Sequence, residues 1–252
     1  VLMLALMLTA CSTPAPDPWL AMWEAEVVAT YPHDRAAFTQ GLEYHDGVLY
    51  ESSGGFGESW IGTSRLDDPA PIKRVRNPDE HFAEGMTVVG DRVWQITWRN
   101  NVAVLRDRAT LAPIREERYD GEGWGLCSSG NRLVMSNGTA SLTLRDPLSF
   151  KEIGTLQVTR SGAPVENLNE LECVGSTVWA NVWQTDELVR IDLATGNVTG
   201  VLHVGMLPGL VPADFEGGRL NGVAALPGTE DLLITGKNWP HLYRIRLKLK
   251  AN

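Results

Sequence analysis

Basic charge is what this chain of 252 residues has too little of: 22 Lys and Arg against 31 Asp and Glu leave a formal net charge of −9 at pH 7. Neutralising a phosphate backbone takes clustered Lys and Arg, so the shortage argues against a nucleic-acid partner. Histidine is scarce as well. His33, His45, His81, His203 and His241 form no HxH or HxxxH pair and the cysteines no CxxC, so zinc is not expected and no cofactor is called for. A structural calcium among the acidic loops finds no support either. Of the three cysteines, Cys127 and Cys173 each lie in an apolar, strand-like segment, which favours buried thiols over a disulfide. Apolar runs are short: residues 1–10 would rise only about 15 Å as a helix, half of a bilayer core. What the chain has in quantity is tryptophan, with nine, and turn formers, with 25 Gly and 14 Pro. That mixture suits a turn-rich β architecture enclosing an aromatic pocket, and 43% hydrophobic residues exclude disorder.

The opening apolar run stops at Cys11-Ser-Thr-Pro-Ala-Pro-Asp-Pro and reads as a signal-peptide segment. Leu8-Thr9-Ala10-Cys11 resembles a bacterial lipobox, which makes Cys11 the expected lipidation site. Residues 1–23 are then signal peptide and tether, and residues 24–252 a single domain. The expected location is the bacterial cell envelope, facing the periplasm, with the lipid on Cys11 as the membrane anchor. Ser12 favours the outer membrane.

Five segments of the chain superpose on one another, each a short apolar stretch, a polar turn and a second apolar stretch. Gly41, Gly85, Gly125, Glu170 and Gly222 fall in register at intervals of 44, 40, 45 and 52 residues. Turns such as Tyr44-His-Asp-Gly47 and Val174-Gly-Ser-Thr177 suit tight hairpins, and alternating strands follow each pair. Four short strands per unit of roughly 40–45 residues make a propeller blade, so the predicted fold is all-β, a five-bladed β-propeller. Residues 24–30 are left over as a strand that can complete the last unit and close the ring. Short helical turns are expected only near 160–168 and 206–218.

Innermost strands of such a ring project equivalent side chains toward one another. The position before the aligned column holds Gln40, Glu84, Trp124, Asn169 and Asn221; a second set about a dozen residues later holds Trp98, Asn137, Trp183, Lys237, Asn238 and Trp239. Polar groups recurring at one structural position among apolar neighbours are costly to bury unless they bind something, although propeller channels also hold polar residues and water as filling. Trp94 and Trp179 are expected to pack between units, Trp19 and Trp23 to belong to the tether and its junction, and Trp60 has no evident place. Glu84 is the only carboxylate of this inward ring, with Glu43 and Glu172 as alternatives for a buried acid.

Tyr31-Pro-His-Asp34, Ala37-Phe-Thr-Gln-Gly-Leu42, Glu84-Gly-Met-Thr87, Gly123-Trp-Gly-Leu126, Asn169-Glu-Leu-Glu172 and Thr235-Gly-Lys-Asn-Trp-Pro240 resemble, in this order, the plant and bacterial glutaminyl-peptide cyclotransferases. Arg35 departs from the Pro common there. The resemblance implies a five-bladed propeller that converts N-terminal glutamine of peptides or proteins to pyroglutamate with loss of ammonia. It implies no zinc. The substrate's own α-amine is the nucleophile, so the enzyme must fold the side chain, move a proton and stabilise an oxyanion. On this reading Glu84 transfers the proton, Asn169, Gln40 and Lys237 hold the two carbonyls, and Phe38, Trp98, Trp124 and Trp183 wall the pocket. Two other readings compete: a non-catalytic envelope scaffold, and a metal-dependent propeller hydrolase or lactonase, which a ring with one carboxylate disfavours.

Overall fold

Alternating apolar and polar stretches cut by Gly, Asn and Asp turns satisfy their backbone groups by pairing with their neighbours in sequence. The computed structural model describes residues 20–206, 210 and 218–250. The leader, Cys11 and Trp19 lie outside the described residues, as does most of the stretch 206–218.

Strand β1 (Ala21–Pro32) precedes three four-stranded antiparallel sheets, each pairing strands in chain order. The first holds β2 (Thr39–His45), β3 (Val48–Ser53), β4 (Trp60–Ser64) and β5 (Lys73–Arg76). The second holds β6 (Ala83–Val89), β7 (Arg92–Thr97), β8 (Val102–Asp107) and β9 (Pro113–Arg118). The third holds β10 (Leu126–Ser129), β11 (Arg132–Met135), β12 (Ser141–Arg145) and β13 (Glu152–Gln157). A ribbon of β14 (Thr159–Arg160) and β15 (Ala163–Pro164) follows, where a helical turn was expected; Ser161 and Gly162, both at positive φ, turn the chain too tightly for a helix. Next come β16 (Leu168–Val174), β17 (Thr177–Val182), β18 (Glu187–Asp192) and β19 (Val198–His203), then β20 (Leu220–Ala225), β21 (Leu232–Gly236) and β22 (His241–Leu249). With β1 these seven make an eight-stranded sheet in the order β16-β17-β18-β19-β1-β22-β21-β20.

The N-terminal strand therefore completes the last unit, pairing antiparallel with β22 from Trp23↔Leu249 to Pro32↔His241. It begins three residues before the expected Glu24. Ala21–Trp23 also pair in parallel with β19, so Trp23 belongs to the sheet and not to a tether; its ring meets Trp179 edge-on at 6.4 Å. The first strands of the units touch in the closed order β2, β6, β10, β16, β20 and back to β2. Apolar clusters fill the spaces between units, with Trp94 fully buried against Phe150 at 4.7 Å between centroids. Trp60 packs in β4 beneath the Arg74 guanidinium, 3.9 Å from its ring centroid.

Cys127 and Cys173 form a disulfide, which corrects the expectation of two thiols. Their apolar surroundings are as read, but β10 and β16 lie side by side and bring the two Cα atoms to 5.4 Å, within bridging range.

Candidate active site

The inward ring is built by interruptions of regular pairing. Register shifts occur in the first strands between Thr39 and Gly41, Ala83 and Met86, Leu168 and Leu171, and Leu220 and Val223. These bulges fall on Gln40, Glu84, Asn169 and Asn221, and a bulge re-aims the side chain it carries. The aligned glycines allow the strands to crowd together. A Cβ at Gly85 or Gly125 would collide with the backbone of the next unit, and Gly222, at φ +139, occupies a conformation that side chains disfavour.

At the end of the molecule where the first strands begin, a cavity of about 260 Å³ opens. Gln40, Glu84, Asn169 and Lys237 provide its polar groups, and Phe38, Phe82, Trp98, Trp124 and Trp183 its walls. The structure thus brings together all eight residues expected there and adds Phe82. The repeat held the signal for it: Phe82 stands two residues before Glu84 as Phe38 stands two before Gln40. The same offset from Trp124 gives Glu122, also missed by the sequence reading, whose Oε2 accepts from Trp98 Nε1 at 2.8 Å and Trp124 Nε1 at 3.0 Å. Arg99 Nε donates to its other oxygen at 2.9 Å, so Glu122 fixes two indoles of the wall.

Glu84 is buried, and Gln40 Nε2 donates to its Oε1 at 2.8 Å. Gln40 is itself held, its Oε1 accepting from Asn221 Nδ2 at 2.9 Å, and Asn221 also donates to the Thr39 carbonyl. The amide of Gln40 thus orients Glu84 with one N–H, and its second N–H has no partner among the described residues. Burial pushes the Glu84 carboxyl well above the ordinary carboxylate range; the Lys237 charge partly opposes the rise and the Glu122 charge adds to it. Burial likewise lowers Lys237, against the pull of Glu84, and its Nζ sits 4.8 Å from the Phe38 ring centroid. The two groups are drawn toward each other in proton affinity, as acid–base chemistry near neutral pH requires. Asn169 Oδ1 is buried with no hydrogen-bond partner among the described residues, an acceptor unused by the protein itself.

Three residues of the expected second set do other work. Asn137 Oδ1 accepts from Thr139 in a turn, Asn238 Nδ2 donates to the Arg35 carbonyl, and Trp239 Nε1 donates to the Gly218 carbonyl. Glu84 is the only carboxylate lining the cavity among the described residues. Of the other acids on the first strands, Glu170 and Glu172 are buried and Glu43 half-buried, and each accepts hydrogen bonds from a neighbouring unit. Glu170 stands in the glycine column and reaches Leu42 N at 3.2 Å and Val223 N at 2.8 Å. Glu172 accepts from Ala225 N at 2.9 Å, and Glu43 from Val88 N at 2.9 Å and Thr87 Oγ1 at 2.8 Å. These acids tie first strands together, and no group of three or more His, Cys, Asp or Glu arranged to hold a metal occurs among the described residues.

A family model described as glutamine cyclotransferase matches residues 1–247. An Arabidopsis thaliana protein named glutaminyl-peptide cyclotransferase is 37% identical over 229 residues, covering 89% of this chain and 72% of its own length. The crystal structure of Myxococcus xanthus glutaminyl cyclase superposes with a TM-score of 0.86 at 36% identity, over 92% of this chain and 100% of that one.

Proposed function

Since the chain belongs to the glutamine cyclotransferase family, we propose that its reaction takes place in the cavity around Glu84. The activity is glutaminyl-peptide cyclotransfer, closing an N-terminal glutamine into pyroglutamate with release of ammonia. The observation that carries the site is the buried Glu84 carboxyl, oriented by Gln40 and enclosed by aromatic side chains that exclude water.

In this reading the substrate's neutral α-amine attacks its own γ-carbonyl carbon, forming the ring C–N bond. Glu84 accepts the proton the amine sheds and returns it to the carboxamide nitrogen. The C–N bond to that nitrogen then breaks and ammonia leaves. The Lys237 ammonium stabilises the oxyanion formed between the two steps, and the unused Asn169 oxygen accepts an N–H of the substrate. The aromatic walls hold the flexible side chain in its ring-forming conformation and strengthen these polar contacts by keeping the site dry. Incubation of the protein with glutaminyl-glycine amide, with and without chelator, is expected to give pyroglutamyl product and equimolar ammonia in both. Ammonia release that stops with chelator, or no release at all, would count against this reading.

The four-strand units are read as five propeller blades, the fifth completed by β1; the closed order of first-strand contacts supports this. We also propose an envelope location with a lipid on Cys11, at the outer membrane facing the periplasm. A disulfide suits an oxidising compartment. The antiparallel register of β1 with β22 starts β1 at the end opposite the cavity, so a lipid tether at that end leaves the cavity mouth free for peptide and protein N-termini.

A further inference from the structure

We propose that Phe56 forms a shelf at the cavity mouth for the side chain of the residue following the N-terminal glutamine, giving a preference for apolar and aromatic residues there. The inference rests on the reading that glutamine occupies the cavity. At about 260 Å³ the cavity is smaller than the roughly 300–1,000 Å³ typical of drug-sized ligands. It takes one residue, and the rest of the peptide leaves through the mouth.

Phe56 stands in the turn between β3 and β4, on the cavity side of the molecule, and is 59% exposed. The other large apolar side chains exposed among the described residues, such as Leu148 and Val174, lie toward the opposite end. Its ring is continuous with the wall: Phe56 meets Phe82 edge-on at 5.3 Å, and Phe82 in turn meets Phe38 at 6.2 Å and Trp98 at 5.6 Å. Three of these four rings line the cavity and the fourth extends the same apolar surface outward.

The turn is built to hold an aromatic ring in water. Gly55 at φ +127 and Gly57 at φ +71 flank Phe56, conformations that favour glycine on both sides. Gly57 N donates to the Asp79 carbonyl at 2.9 Å, Ser59 Oγ to the Gly55 carbonyl at 2.7 Å, and Arg76 to the Gly57 carbonyl. A ring fixed in this way loses little conformational freedom on meeting a partner.

The test compares kcat/KM for glutaminyl-phenylalanine amide and glutaminyl-glycine amide in the wild type, Phe56→Ala and Phe56→Tyr. The expected result is that Phe56→Ala lowers the Phe/Gly ratio about fivefold, mainly through KM, with the glycine substrate unchanged and Phe56→Tyr close to wild type. An unchanged ratio, or an equal loss on both substrates, overturns the shelf while wild-type turnover still upholds the cavity assignment. Wild type inactive on both amides overturns both.

Discussion

A carboxyl group is useful for moving protons near neutral pH only if something lifts it out of its usual range, and at Glu84 that agent is burial among indoles and phenyl rings. On the proposed mechanism turnover needs Glu84 ionised, Lys237 protonated and the substrate α-amine neutral. The first is displaced upward and the second downward, so the kcat/KM profile is expected to be a bell narrower than free Glu and Lys would give, its acid limb well above the ordinary carboxylate range. Gln40 sharpens this prediction. Its hydrogen bond favours the charged form of Glu84, so Gln40→Ala should move the acid limb to still higher pH and lower kcat more than it raises KM. An unmoved limb would make Gln40 mere packing.

Strands and turns carried most of the legible information. The five aligned positions appear in the structure as close backbone approaches and bulges, because a residue that faces a crowded axis must be small or must reach across it. Side-chain bonding was not legible. The hold on Gln40 that turns its amide toward Glu84 comes from Asn221, 181 residues along the chain, and no local pattern records that. His33, prominent in the sequence without a role, bonds the Trp239 carbonyl at 2.7 Å and Glu51 at 3.0 Å, fastening the end of β1 beside the turn that carries Lys237. The sequence's preference for two thiols over the disulfide has the same cause, since the adjacency of β10 and β16 is a property of the closed ring. Joining cysteines 46 residues apart, the disulfide is expected to contribute about 4 kcal/mol by the chain-entropy account. The Cys127→Ser/Cys173→Ser double variant should melt well below the oxidised wild type and match it under reducing conditions; equal melting in both states would contradict this.

The molecule as a whole is closed by its two chain ends and stapled along its axis by acids that are buried at a cost. Burial lifts Glu170 to about 8 and Glu43 to about 7, against the backbone hydrogen bonds that favour their charged forms. Both bind protons more tightly folded than unfolded, so their contribution is full below the ordinary carboxylate range and is lost as pH rises through 7 to 8. Melting temperature is expected to fall between pH 5 and 8, and Glu170→Gln to flatten that slope; an unaltered slope would place the proton uptake elsewhere. All of this framework serves to hold one oriented carboxyl in a dry cavity. The most direct measurement is therefore ammonia release from glutaminyl-glycine amide by Glu84→Gln, beside its circular dichroism spectrum and melting curve. The account predicts a loss of about a hundredfold or more with the fold intact. A folded Glu84→Gln variant turning over within a few-fold of wild type would contradict it.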